Sequence, residues 1–265
     1  MSSLANIPTE RRCKQLVHQL LTKRKTCTSC NGKVSWKREY GWCRTCRTKV
    51  RPKAATWFRG SKLKYRQVFV LLWCWQNRHS PGSARAVTGL SYTTIARWYW
   101  RFRSLVPPQQ TPELLSGIVE VDEAYFGKKR FGGQTIVIGA IERDTRRLRL
   151  QVIPDTEQDS LEGFLEQHVA RNSLVVTDCH AGYNDIGFLG FSHESWNHSK
   201  GHFAGTNHIE GTWSELKRYL RKLYGCIPTK HLQLVLTEWM ARHNSLRLFA
   251  SPTYFLQVTC SGLVD

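Results

Sequence analysis

The sequence predicts an α/β fold class in which a large domain of strands and helices follows two small basic modules. Three observations lead there. Two Cys-x-x-Cys pairs lie close together near the N-terminus, basic and aromatic segments of helical spacing come next, and strand-like and helix-like stretches alternate from about residue 115 onward. Domains are therefore expected at 1–55, 60–106 and 115–265, and 265 residues suffice for that division. Pro107-Pro108 and the polar QQTPE after them read as the linker ahead of the third domain.

Charge separates the front of the chain from the back. Residues 1–106 hold 23 Lys/Arg against 2 Asp/Glu, residues 107–265 hold 16 against 18, and the whole carries +19. A front half so basic calls for a polyanionic partner, and nucleic acid leads because Lys and Arg displace its condensed counterions. A membrane surface is the weaker candidate, since no apolar run reaches the roughly 18 residues of a spanning helix. The opening MSSLANIPTERRCKQL lacks the apolar stretch of a signal peptide, so a cytoplasmic, nucleoid-associated protein is expected. Nine cysteines, four of them in two close pairs, then favour metal over disulfides.

The first module rests on Cys27-x-x-Cys30 and Cys43-x-x-Cys46, with twelve residues between the pairs. Each pair sets two thiolates on one side of a tight turn, the residues between them close as a short hairpin, and four thiolates suit one structural Zn²⁺. The metal supplies folding free energy that so short and polar a segment lacks. Lys33, Lys37, Arg38, Arg44, Arg47, Lys49, Arg51 and Lys53 surround the cysteines and direct the module toward DNA or RNA.

The second module is helical. Residues 62–78 have amphipathic spacing, Ser83–Val87 predict a short helix, Gly89 a turn, and Ser91 the N-cap of a helix running to about Leu105. This is the helix-turn-helix pattern. In that reading Tyr92, Thr93 and Thr94 face base edges of double-stranded DNA, and Arg97, Arg101 and Arg103 lie on phosphates. A plain helical hairpin would show the same spacing. Trp98 and Trp100 cannot share one side, so part of the aromatic set belongs to a core.

In the third domain, Ile118–Phe126, Thr135–Ile141, Leu148–Ile153 and Leu174–Asp178 read as strands, the third of them an outer one. Leu161–Val169, Thr206–Leu223 and Leu232–Leu246 read as helices, with Ile209, Trp213, Leu216 and Leu220 on one side of the second. Three strands, a helix, a further strand and then helices is an order compatible with a ribonuclease-H-like fold.

Carboxylates stand at telling places in that order. Asp122 shares a strand face with Glu120, Asp178 ends its strand, and Glu210, separated from it by 31 residues, opens a helix. First and fourth strands are neighbours in a ribonuclease-H-like sheet, so Asp122 and Asp178 would meet and the later helix would bring Glu210 to them. Ionised carboxylates gathered in that way repel one another. Two Mg²⁺ (or Mn²⁺) ions per site remove that cost and suit phosphodiester chemistry. Lys217, about two helical turns after Glu210, would neutralise DNA phosphate, with Arg218 and Arg221 extending the basic strip. Glu120, Glu123 and Glu142 are rival carboxylates, Glu123 the strongest, and Asp185 rivals Asp178. Asn207 and His208 lie within a turn of Glu210, and Asn207 competes with it as third metal ligand.

VEVDEAYFG, VVTDCHAGY and TNHIEGTWSELKR resemble the three catalytic blocks of bacterial insertion-sequence DDE transposases, specifically the zinc-ribbon branch related to Merlin elements. CTSC…CRTC and SARAVTGLSYTTIARWYWRFR resemble the ribbon and helix-turn-helix of that branch. The resemblance implies a ribonuclease-H-like catalytic domain, binding of terminal inverted repeats, and metal-dependent strand cleavage followed by strand transfer. It implies Asp122, Asp178 and Glu210 as the metal-binding triad, Lys217 as the trailing base, element ends and target DNA as partners, and a homo-oligomer in the DNA complex. Cys179 stands where Gly or Asp would be more usual. The alternatives are a DNA-binding regulator with an inactive back half, against which the intact carboxylates speak, and a junction-type nuclease, which has no need of sequence-specific end binding.

Overall fold

The computed structural model describes residues 4–22, 26–27, 29–37, 40–51, 53, 56–107, 113–127, 134–196, 206–224 and 229–261. Its elements run α1 (Glu10–Thr22), β1 (Val34–Trp36), β2 (Gly41–Cys43), β3 (Lys49–Val50), α2 (Tyr65–Gln76), α3 (Pro81–Thr88), α4 (Tyr92–Ser104), β4 (Ile118–Phe126), β5 (Thr135–Glu142), β6 (Leu148–Ile153), α5 (Gln158–His168), β7 (Leu174–Asp178), β8 (Ser192–Trp196), α6 (Asn207–Tyr224), α7 (Leu232–Asn244) and α8 (Pro252–Ser261). They fall into two units, 1–105 with 246–265, and 106–245. Most of the expected linker, residues 108–112, lies outside the described residues, as does Arg38.

In the first unit, β1 and β2 form the hairpin expected between the cysteine pairs, and β3, not expected, extends it into a three-stranded antiparallel sheet. Helix α1 precedes it, an element the expected 1–55 module does not contain. Thr9 opens α1 by accepting from the Arg12 amide at 3.4 Å, and Cys13, Val17 and Leu21, four residues apart, bury one face. Helix α2 is apolar nearly all round, with Val68, Phe69, Leu71, Leu72, Cys74 and Trp75 buried. Its N-terminus is closed from afar: the Glu10 carboxylate accepts from the backbone amides of Tyr65 (3.0 Å) and Arg66 (2.7 Å). Local signals set the next two helices. Ser80 caps α3 with Pro81 in its first turn, Gly89 ends it at φ 68°, and Ser91 caps α4 by accepting from the Thr94 amide at 3.3 Å.

The third expected domain ends too late. Residues 246–265 join the first unit, where α8 packs on α1 and α2. Gln76 of α2 donates to the carbonyls of Leu248 (3.1 Å) and Ser251 (3.0 Å), and the Trp57 indole donates to Thr259 at 2.9 Å. Phe255 sits among Trp57, Trp75 and Phe102 with ring centroids 5.3–6.4 Å away. The last helix therefore completes the aromatic core of the front helices.

The second unit is a mixed α/β structure on a five-stranded sheet of order β6-β5-β4-β7-β8. Strands β4, β5 and β6 run antiparallel in sequence, whereas β7 lies parallel to β4 and β8 parallel to β7. Strand β8 was not expected; its HES core is polar and lacks a strand's alternation. One sheet face packs Val119, Val121, Ile138, Ala140 and Val175 against Leu161, Phe164 and Leu165 of α5. Helix α6 reaches the other face. As expected, β6 is an outer strand, and α7 covers its edge: Gln233 accepts from the Val152 amide at 2.8 Å, and Asn244 both accepts from and donates to the Leu148 backbone at 2.9 Å. A buried network joins α6 to α7, with the Tyr219 hydroxyl (2.7 Å) and Arg242 Nε (2.8 Å) both donating to Glu238. Among the described residues no helix is long and apolar enough to cross a membrane.

Candidate functional site

The parallel pairing of β4 with β7 decides where the first two carboxylates lie. Glu120 pairs with Val176, so Asp122 and Asp178 stand two residues further along adjacent strands, on the same sheet face. That face receives the start of α6. The Glu120 carboxylate, wholly buried, accepts from the backbone amides of His208 (2.8 Å) and Ile209 (3.2 Å), from His208 Nδ1 (2.7 Å) and from Arg143 Nε (3.0 Å). One turn further along α6, the Trp213 indole donates to Asp122 Oδ2 at 3.0 Å. Gly139, which pairs with Asp122 across β5, makes room for that ring: a Cβ there would meet the indole at 2.6 Å. The helix that bears Glu210 is thus tied to β4 at two points.

Glu210 itself is exposed and accepts from the Thr206 hydroxyl at 3.0 Å. The half-buried Asp178 accepts from the His180 amide at 3.1 Å, which folds the chain into a turn after β7. Burial raises the Asp122 pKa above the usual carboxylate range; the Trp213 hydrogen bond opposes, while the negative charges of Asp178 and Glu210 push it further up. The three carboxylates therefore share one electrostatic neighbourhood. They are nonetheless spread: the four cysteines, not these acids, are the set with metal-ligating atoms within 4.8 Å of one another among the described residues. Lys217 is exposed on α6, its ammonium 5.7 Å from the Phe126 ring at the end of β4. Arg218 and Arg221 are exposed beside it.

The rival carboxylates have other employment. Glu120 closes α6. Glu123 pairs with Ile138, on the α5 face opposite Asp122, and the buried Tyr183 hydroxyl donates to it. Burial pushes Glu123 up to about 7; the Tyr183 bond opposes and the charges of Asp122 and Asp178 add. Glu142 is bound by Ser116, Thr145 and Arg147. His208 gives its amide and Nδ1 to Glu120, which removes Nδ1 from the expected metal or substrate role; Asn207 is exposed at the first position of α6. Helical spacing counts Trp213 only as a core residue, and nothing in the sequence marks its bond to Asp122.

In the first unit, Cys27 and Cys46 bring their sulfurs to 3.8 Å, and Cys30 and Cys43 to 3.5 Å. Four sulfurs so gathered could hold one metal ion. The Thr48 hydroxyl, 2.9 Å from Cys46, holds that thiol down to about 6. On α4, Thr93, Arg97 and Arg101 are exposed, Thr94 is half-buried with its hydroxyl 2.9 Å from Ser91, and Arg101 lies 5.8 Å from the Trp98 ring. Arg103 departs from expectation. It is 1% exposed and stacks on Trp100 at 4.7 Å, because its helical position faces the core; it is not available to a phosphate. Trp98 is buried as well.

A model of the ISXO2-like transposase domain matches residues 114–244. An uncharacterized transposase-like protein of Haemophilus influenzae is 32% identical over 117 residues, which are 43% of this chain and 94% of that protein. The chain belongs to the ISXO2-like transposase family, a group of DNA-acting insertion-sequence enzymes. Among solved structures, the catalytic core domain of BIV integrase is similar with a TM-score of 0.37 and 16% identity, over 49% of this chain and 84% of that one.

Proposed function

We propose that the chain binds the terminal inverted repeats of an insertion sequence and catalyses metal-dependent cleavage and transfer of DNA strands. Asp122, Asp178 and Glu210 are the metal-holding carboxylates, and Asn207, three residues before Glu210 on α6, is the alternative third ligand. The observation that carries the reading is the register that sets Asp122 and Asp178 each two residues beyond the Glu120–Val176 pair on parallel neighbours, with the Glu210 helix tied to the same strand through Glu120 and Trp213. The sheet order and strand directions are those of a ribonuclease-H-like domain, which supports the same assignment.

The donor set fits Mg²⁺ or Mn²⁺, since all its atoms are carboxylate oxygens. The oxygens are spread more widely than one ion's shell, and Asp122, Asp178 and Glu210 would hold two such ions between them. When bound, such ions activate the attacking hydroxyl and stabilise the leaving oxygen of a phosphodiester. The protein's own groups hold the geometry: Trp213 fixes one Asp122 oxygen, and Thr206 orients Glu210. Lys217 neutralises a phosphate of the strand being cut.

In the first unit, the four cysteines hold one structural Zn²⁺. α3 and α4 act as a helix-turn-helix on the element ends, with Thr93 and Thr94 near bases and Arg97 and Arg101 on phosphates. Arg218 takes a further phosphate beside the carboxylates. The enzyme works in the cytoplasm on nucleoid DNA, and two ends require at least two protomers.

The test is strand transfer on a labelled duplex bearing the element's flanking repeats, with and without Mg²⁺. Asp122→Ala and Asp178→Ala are each expected to lower cleavage and joining by at least about 10³-fold while end binding persists. Transfer by either variant at a comparable rate overturns the assignment.

A further inference from the structure

The outer face of the small sheet of β1, β2 and β3 has a composition that neither metal binding nor the helix-turn-helix uses. Strand alternation sorts the sheet cleanly. Val34, Gly41, Cys43 and Val50 are buried on one face. Ser35, Trp42 and Lys49 stand in register across the other, and all three are exposed. Trp42 is 41% exposed at the centre of the sheet, and no ring among the described residues stacks on it.

Cations surround that indole. Lys33 and Arg44 face each other at one end, where the Arg44 amide donates to the Lys33 carbonyl at 3.0 Å. At the other end Lys37 and Lys49 lie 5.8 and 4.1 Å from the Tyr40 ring, and Arg51 follows Val50. All five cations are exposed, and Glu39, outside the described residues, is the one acidic residue in 26–51.

We propose that this face is a stacking platform for single-stranded DNA, with Trp42 taking the face of an unpaired base and Lys33, Lys37, Arg44, Lys49 and Arg51 taking the phosphates on either side. The chemistry selects the partner. An exposed indole on a flat sheet gains little from a duplex, whose bases already stack on one another, whereas every unpaired base offers a free π-face. The cations supply the backbone attraction such a strand needs. The inference is independent of the carboxylate site in the other unit, so it survives or fails apart from the catalytic reading.

The experiment measures anisotropy of labelled oligo-dT and of a duplex of equal length with the full, zinc-loaded chain at two salt concentrations. Trp42→Ala is expected to weaken oligo-dT binding about 5- to 100-fold, Trp42→Phe to retain most of it, and Lys49→Ala to weaken it with a shallower salt dependence. Duplex affinity in Trp42→Ala should change less than about twofold. Zinc content and circular dichroism, equal to those of the parent chain, certify folding; should Trp42→Ala fail them, Trp42→Leu on the same face serves. Unchanged oligo-dT binding in a folded Trp42 variant overturns the proposal. So does an equal loss on duplex and single strand, which would make the face a general backbone contact.

Discussion

In each unit a glutamate distant in sequence closes the N-terminus of a helix. Glu10 takes the amides of Tyr65 and Arg66 at the start of α2, and Glu120 takes those of His208 and Ile209 at the start of α6. The settings differ. Glu10 is half-buried on the first turn of α1 and serves a helix already held by its apolar surface. Glu120 is wholly buried and holds Arg143 and His208 as well, and its helix presents polar groups at Asn207, Glu210 and Lys217. The first unit draws its order from packed aromatic rings and gathered sulfurs, the second from a sheet that fixes polar atoms at set distances. A helix with little apolar surface at its start needs the stronger anchor.

The largest expected effect separates the units outright. With zinc on the four cysteines as proposed, its chelation, or Cys43→Ser, should remove binding free energy on the order of 10 kcal/mol from residues 26–51, unfold them and weaken DNA binding. Hydrogen exchange of the sheet strands β4, β5 and β7 should not change. Loss of protection in both regions together would mean the two are one cooperative body and the contrast is false.

Next come the two caps themselves. Glu120→Ala leaves two helix amides and the Arg143 and His208 side chains without their shared acceptor, so a loss of about 3 kcal/mol and of nearly all strand transfer is expected. Glu10→Ala, at a more exposed cap, should cost about 1 kcal/mol and leave strand transfer per folded molecule intact. Denaturant melts together with single-turnover assays decide this. Equal losses of stability in the two variants would break the comparison.

A smaller effect tests the second tie of α6. Gly139→Ala sets a methyl within 3 Å of the Trp213 ring. The indole must shift, at a cost of about 2 kcal/mol, and its bond to Asp122 goes with it. Strand transfer should fall while DNA affinity stays, whereas Gly163→Ala, with no atom within 4 Å of the new methyl, should be silent in both. A normal transfer rate in Gly139→Ala would remove Trp213 from the account of how Asp122 is held.

Much of this was legible because local chemistry dominates it. The β4 run IVEVDEAYF, the Ser80 and Ser91 caps and the two Cys-x-x-Cys turns each carry their own signal, and β4 and α4 fall where spacing puts them. What escaped is long-range. Residues 246–265 look like a continuation of the back half, yet Gln76 and Phe102 recruit them to the front. The roles of Glu120 and Glu123 hinge on which sheet face each meets, and their neighbours α6 and Tyr183 are distant in sequence. Arg103 reads as a phosphate contact because charge is visible in sequence and facing is not; tertiary packing turned it inward.

The smallest effect concerns pH and the sheet unit alone. His168, at the end of α5, is half-buried against Phe164 and Gln151, and burial, helped by the Arg149 charge, lowers its pKa to about 4. A histidine kept neutral by the fold binds fewer protons there than when unfolded. Its contribution is fully present above about pH 6.5 and is lost as pH falls from there through about 4. Glu123, pushed up to about 7, runs the opposite way in that window, since its protonated form is the one the fold prefers. Glu142 acts lower: burial pushes it up, but Arg147, Thr145 and Ser116 outweigh that and hold it down to about 2. The informative quantity is therefore a difference. Thermal midpoints of the parent chain and of His168→Gln, recorded between pH 7.5 and 4 on the order of half-unit steps, should converge as pH falls, because only the parent loses the neutral-histidine contribution. Parallel curves across that range would mean His168 carries no such linkage, and that acid sensitivity in the sheet unit resides in its carboxylates alone.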